Sequence, residues 1–124
     1  MAINSRAKGA SAEREVAALV HDELGIRLNR NLEQYRSDEQ GDLNGLPGWT
    51  VEVKHYAKAN DFKPEWWKQV SVAADRNKEM PALFWRGNRQ AWRVTVRLSS
   101  INSDIAFDLA NEPVTLSFRA WASL

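Results

Sequence analysis

Residues 49–54 read WTVEVK, and no other stretch constrains the fold as strongly. Strict alternation of apolar and polar side chains marks a strand with two unlike faces, because successive side chains leave a strand on opposite sides. Trp49, Val51 and Val53 fall on one face, Thr50, Glu52 and Lys54 on the other. Gly41-Asp42-Leu43 begins a shorter strand just upstream, and Asn44-Gly45 and Pro47-Gly48 supply the turn chemistry between the two.

The flanking segments fill in the architecture. Val16, Leu19, Val20 and Leu24 repeat at helical spacing, which predicts a helix over 10–24 that stops at Gly25. The alternation in 26–32 predicts a strand, and 33–40 lacks apolar periodicity and reads as an exposed loop. Pro64 suits the first turn of a helix running to about Lys78. Strands are expected at 82–86 and 91–98, joined as a hairpin near Gly87-Asn88, followed by a short helix within 101–110 and a strand at 114–119. The order α-β-β-β-α-β-β predicts an α/β fold with one mixed central sheet flanked by helices. The chain is expected to form one domain over 1–124, with 1–9 a flexible basic arm and 98–124 a C-terminal extension of unassigned role.

Composition limits the function. A chain of 124 residues builds one core rather than two. No run approaches the roughly 20 apolar residues of a membrane helix, and the N-terminus lacks the apolar segment of a secretory signal. The expectation is a cytoplasmic protein of a bacterial or phage-infected cell, with no membrane partner. With no cysteine, disulfides and thiolate metal sites are excluded, so any metal is held by oxygen or imidazole ligands. The net charge of +1 conceals a division. Residues 37–53 carry Asp38, Glu39, Asp42 and Glu52 and no base, whereas 54–97 carry ten Lys and Arg against four acids. An acidic knot beside a basic half suits a protein that holds a cation and meets a polyanion, although unevenly charged solvated surface gives the same pattern. The six tryptophans lie mostly in apolar segments and are assigned to the core, with base stacking or a subunit contact open for some.

Four residues carry chemistry. Glu52 and Lys54 project from one face of a strand, and Asp42 opens the neighbouring strand. Carboxylates supply the oxygen ligands that a hard divalent ion requires. Phosphodiester hydrolysis needs an activated water and a stabilised anionic transition state; a metal can provide the first, and a metal with an ammonium group such as that of Lys54 the second. Glu13 stands on the apolar stripe of its helix with Val16 and Val20. A carboxylate there needs a metal or a basic partner, unless it reaches solvent near the helix N-terminus. For Glu52 and Lys54 the plainer alternative is an exposed polar face.

The run Arg6-Ala7-Lys8-Gly9-Ala10-Ser11-Ala12-Glu13-Arg14-Glu15-Val16 resembles the N-terminal signature of archaeal-type Holliday junction resolvases, a branch of the PD-(D/E)XK nucleases. Gly41-Asp42 and Val51-Glu52-Val53-Lys54 resemble their second and third motifs. The resemblance spans roughly residues 5–86. It departs at Gly41, where the superfamily often has Pro, and finds no counterpart for 92–124. It implies a restriction-endonuclease-like core, an acidic metal site of Glu13, Asp42 and Glu52, a catalytic Lys54, and a symmetric homodimer acting on four-way DNA junctions. Mg²⁺ is the expected cofactor, with Mn²⁺ able to substitute and the Val53 carbonyl a further ligand. A functional serine in the family's loop after the first strand corresponds loosely to Ser37, and a glutamine on the second helix of some nuclease branches to Gln69. Arg6, Lys8, Arg14, Arg30, Arg36 and Lys58 are the expected DNA contacts, each equally compatible with a solvated charge. His55 and His21 are read as ordinary packed or surface residues. Two alternatives stand beside the resolvase: a related nuclease acting on flaps, forks or duplex, and a catalytically silent DNA-binding module on the same fold.

Overall fold

The computed structural model describes residues 5–31 and 41–124, with side chains described from residue 9 onward. A long helix, α1 (Ser5–Leu24), is followed by two short strands, β1 (Asn29–Arg30) and β2 (Leu43–Asn44). Then come β3 (Trp49–Tyr56), α2 (Pro64–Asn77), β4 (Met80–Gly87) and β5 (Arg93–Arg97). The C-terminal part contributes α3 (Leu98–Ile101), a 3₁₀ turn at Phe107–Leu109, β6 (Pro113–Ser117) and α4 (Phe118–Ala122).

The strands lie side by side in chain order, and their directions follow from the connections. β3 and β4 run parallel, in register from Trp49↔Met80 to Tyr56↔Gly87, because α2 carries the chain back across the sheet between them. The other four pairings are antiparallel. This is the mixed, helix-flanked sheet expected from the order of the elements.

The two faces of β3 are as unlike as its sequence predicts. Val51 and Val53 join Val16 and Val20 of α1, Phe84, Val94, Val96 and Trp121 in the larger core. The opposite face meets α2, where Trp66 and Val70 pack with Leu83 and Trp85. Thr50 belongs to that side: its hydroxyl accepts from Asn77 Nδ2 of α2 at 3.2 Å and donates to Glu79 Oε1 at 2.8 Å. α2 ends as its sequence allows, with Lys78 in the left-handed conformation (φ 57°) and its N–H returned to the helix carbonyls.

Three expectations need correction, and one open assignment is filled. The first helix begins at Ser5, so residues 5–9 belong to α1 and not to a flexible arm; Arg6, Ala7, Lys8 and Ala10 are good helix formers that outweigh Gly9. The strand expected over 26–32 is only Asn29–Arg30, since the partner β2 offers just two residues for pairing. The helix expected within 101–110 is replaced by α3 upstream and the 3₁₀ turn. Residues 98–124, left without an assigned role, complete the sheet and the core. β6 completes the sheet against β5, and α4, which the sequence reading did not anticipate, buries Trp121 to 3% exposure. Ser117 caps α4, its Oγ accepting from Ala120 N at 3.1 Å.

Candidate active site

The site begins where β2 and β3 part company. Leu43 pairs with Val51, and the Asp42 N–H donates to Val51 O at 2.7 Å. One rung further on, a side chain replaces the backbone: the Val53 N–H donates to Asp42 Oδ2 at 2.7 Å. Asp42, 4% exposed, thus sits beside β3, joined to Val51 through its backbone and to Val53 through its carboxylate. Burial of such a group is tolerable only with partners of this kind.

Gly41 makes this arrangement possible. Its φ is +71°, and a Cβ there would stand 2.6 Å from Val51 O. Proline, with φ locked near −65°, cannot occupy that conformation, which explains the departure from the superfamily's usual residue. Asn31 ties the preceding segment to the same place: its N–H donates to Asp42 O at 2.9 Å and its Nδ2 to Gly41 O at 3.0 Å.

Glu52 projects from β3 toward the α2 side and is 2% exposed. Lys54 follows on the same face, half-buried. Among the described residues no carboxylate lies within ion-pair distance of Lys54. Glu13 approaches from α1. Its side chain is 13% exposed, and its Oε1 accepts from Arg30 Nε at 2.8 Å. Burial raises its pKa above the usual value; the Arg30 hydrogen bond pulls it down in part, and the negative charge of Asp42 raises it further. Glu13 and Asp42 are therefore electrostatic neighbours, one from the α1 side of the sheet and one at the edge of β3.

Asp42 is bonded to the strand that carries Glu52 and Lys54, and Glu13 feels its charge from α1, but the acids do not form a finished cage. Among the described residues no group of three or more His, Asp or Glu side chains stands ready to enclose a metal. The donor chemistry nevertheless fits a hard divalent ion: Asp42 and Glu52 present buried carboxylates from adjacent strands, and the Val53 carbonyl shares the β3 edge that its N–H shows to Asp42. Glu13 Oε1 is engaged by Arg30.

Other expected residues are placed as follows. Arg30, anticipated as a phosphate contact, turns to Glu13 instead. Arg14 and Lys58 are exposed. Gln69 is half-buried on α2 and lines a groove with Lys68, Val72 and Arg76; none of Asp42, Glu52 and Lys54 lines that groove. Arg36 and Ser37, with the rest of the 33–40 loop, lie outside the described residues, as do the side chains of Arg6 and Lys8. His55 Nε2 is 2.8 Å from Asn88 Oδ1, and its ring meets Trp92 edge-on. His21 is a surface residue of α1.

The sequence reading missed a clamp that orients α1. Glu15 accepts two hydrogen bonds from Arg86 Nη2, at 3.0 and 3.2 Å, and one from Trp92 Nε1 at 3.2 Å. The Arg86 guanidinium also lies 5.2 Å from the Trp92 ring centroid. A single turn of α1 is thereby tied at two points, Glu15 to Arg86 and Trp92 and Glu13 to β1. No local pattern could have found partners more than seventy positions away.

A split strand pair thus holds Asp42 against a Glu-x-Lys strand, with a helical glutamate on the α1 side. The chain belongs to the family described as "Phage putative PDDEXK endonuclease", whose model matches residues 4–120. Among solved structures it is similar to the Holliday junction resolvase Hjc of Archaeoglobus fulgidus, with a TM-score of 0.61 and 16% identity over 94% of this chain and 96% of that one. At that identity the likeness establishes the shared fold. No match was found among curated proteins. No helix among the described residues is long and apolar enough to cross a membrane.

Proposed function

We propose that this endonuclease hydrolyses DNA phosphodiester bonds with Mg²⁺, that its substrate is a four-way junction, and that it acts as a homodimer. The observation that carries the reading is the Asp42–Val53 hydrogen bond, which fixes one carboxylate beside the strand bearing Glu52 and Lys54. The likeness of the fold to a Holliday junction resolvase supports the choice of substrate.

Asp42 and Glu52 would hold the ion, with the Val53 carbonyl a further ligand and Glu13 bound directly or through water; Mn²⁺ has the same preference for oxygen ligands and would substitute. When bound, the ion supplies a water of lowered pKa and positive charge beside the scissile phosphate. The protein's own contribution is positional. Asp42 is locked by Val53 N–H, Glu52 is rigid within a central strand, and Lys54 brings an ammonium group to the same face to orient the water or offset charge on the phosphate. Symmetric cleavage of a junction requires two such sites, which a two-fold dimer provides.

The test is cleavage of a synthetic four-way junction beside linear duplex, flap and fork substrates, with and without Mg²⁺. Paired, symmetry-related nicks confined to the junction and dependent on the metal are expected. Glu52→Gln and Lys54→Ala should abolish cleavage and leave a folded protein that still binds DNA. Undiminished nicking by both variants would overturn the assignment, and equal cleavage of duplex would remove the junction from it.

A further inference from the structure

The row of side chains on the α2 face of β3 does not end at Lys54. Tyr56 is the next residue on that face, and it carries a feature that the acid site does not use. Its ring stacks on Trp66 of α2, with centroids 4.9 Å apart and planes inclined by 21°, yet the residue remains 41% exposed. Lys63, immediately before α2, places its Nζ 5.1 Å from the Tyr56 centroid and 5.6 Å from that of Trp66. Lys58 is exposed on the segment that leads from β3 to Lys63. Among the described residues no carboxylate lies within ion-pair distance of Lys58 or Lys63.

The physics of this corner favours a polyanion. A cation held against aromatic rings keeps its position without losing its charge, whereas one paired with a carboxylate is already neutralised. The Tyr56 ring is pinned by Trp66, so its exposed side is presented in a fixed orientation. Two residues along a strand advance about 6.6 Å, which is the scale of one nucleotide along a nucleic-acid strand. A strand whose phosphate lies at Lys54 therefore arrives at Tyr56 and Lys63 one nucleotide further on.

We propose that Tyr56 and Lys63 form a DNA-strand subsite flanking the reacting phosphate: the Lys63 ammonium takes the adjacent phosphate, and the exposed side of Tyr56 packs on that nucleotide's sugar or base. The inference rests on the nuclease reading for its ligand, but it concerns binding and not hydrolysis. Its role is to set the register of the strand over Lys54.

The measurement is fluorescence anisotropy of a labelled four-way junction over a salt series, in EDTA so that nothing is cut. Removing one phosphate contact lowers the magnitude of the slope of log K against log salt by about 0.9. Lys63→Gln, a change at an exposed position, should show that loss with several-fold weaker binding at low salt. Tyr56→Ala should weaken binding by about fivefold or more with an unchanged slope, since stacking carries no counterion term. Arg119→Gln, at an exposed position of α4, should leave both affinity and slope at wild-type values. Wild-type affinity and slope in both Lys63→Gln and Tyr56→Ala would overturn the subsite, and so would an equal loss of slope in Arg119→Gln, which marks a diffuse charge effect. Wild-type protein that binds no DNA would overturn the subsite and the nuclease reading together. Failure of Mg²⁺-dependent cleavage alone counts against the nuclease reading, because cleavage plays no part in this readout.

Discussion

Asp42 has two separable jobs, and they can be taken apart by substitution. Its Oδ2 accepts from a buried backbone donor, and in the proposed mechanism its charge would help to hold the ion. Asp42→Asn can keep an oxygen toward Val53 N–H and should melt near the wild type while losing cleavage. Asp42→Ala strands that donor and should cost about 1–3 kcal/mol, read by urea denaturation. Gly41 gives a purely conformational counterpart. Gly41→Ala meets both a positive φ and a contact of 2.6 Å with Val51 O, and strain of this kind costs about 1–3 kcal/mol. Glu13 tests electrostatics. Its folded pKa lies above the unfolded one, so folding is favoured most when it is protonated, and that contribution is lost as pH rises through the folded value. In metal-free protein, Glu13→Gln should therefore raise the melting temperature at pH 7, and the gain should vanish below the ordinary carboxylate range near pH 4. A variant that melts lower than wild type at neutral pH would show that the Arg30 pair outweighs burial.

At the level of elements, what could be read from the chain depended on how local the cause was. The alternation at 49–54 fixed the faces of β3 because a strand's side-chain period is a property of the backbone. Pro64 located the start of α2 for the same kind of reason. The placement of Glu13 was half visible: its position on an apolar stripe demanded compensation, but nothing nearby said that Arg30 would supply it. The Glu15–Arg86–Trp92 clamp was invisible, being an encounter between distant segments. The role of the C-terminal extension stayed unassigned for a related reason. Residues 118–122 are too few to show helical periodicity, and α4 exists because Trp121 fills a space against Phe84 and Trp49, with ring centroids 5.0 and 5.7 Å away. Trp121→Ala should consequently destabilise the whole domain by about 3–5 kcal/mol. A loss confined to the C-terminal residues, with the rest of the amides still protected in hydrogen exchange, would mean that this segment is an appendage after all.

For the whole molecule, Asp42 and Glu52 lie at the β2–β3 split, and Lys54, Lys58 and Lys63 follow along β3 and the segment after it. One active site can make one nick. If junction cleavage is the work of a two-fold dimer, the two nicks come from two chains held together, and the coupling can be measured without knowing the interface. Active protein mixed in equal amounts with Lys54→Ala, and allowed to exchange subunits, should contain about half mixed dimers on random assortment. Each mixed dimer has one working site, so singly nicked junctions should accumulate, in proportion to the mixed fraction, at times when wild-type protein has already cut both strands. Chains that act independently give a different result: the inactive partner then slows both nicks equally and leaves their ratio unchanged. An unchanged ratio, with subunit exchange verified by mass, would dismiss the paired-site dimer and leave a nuclease that cuts one strand at a time.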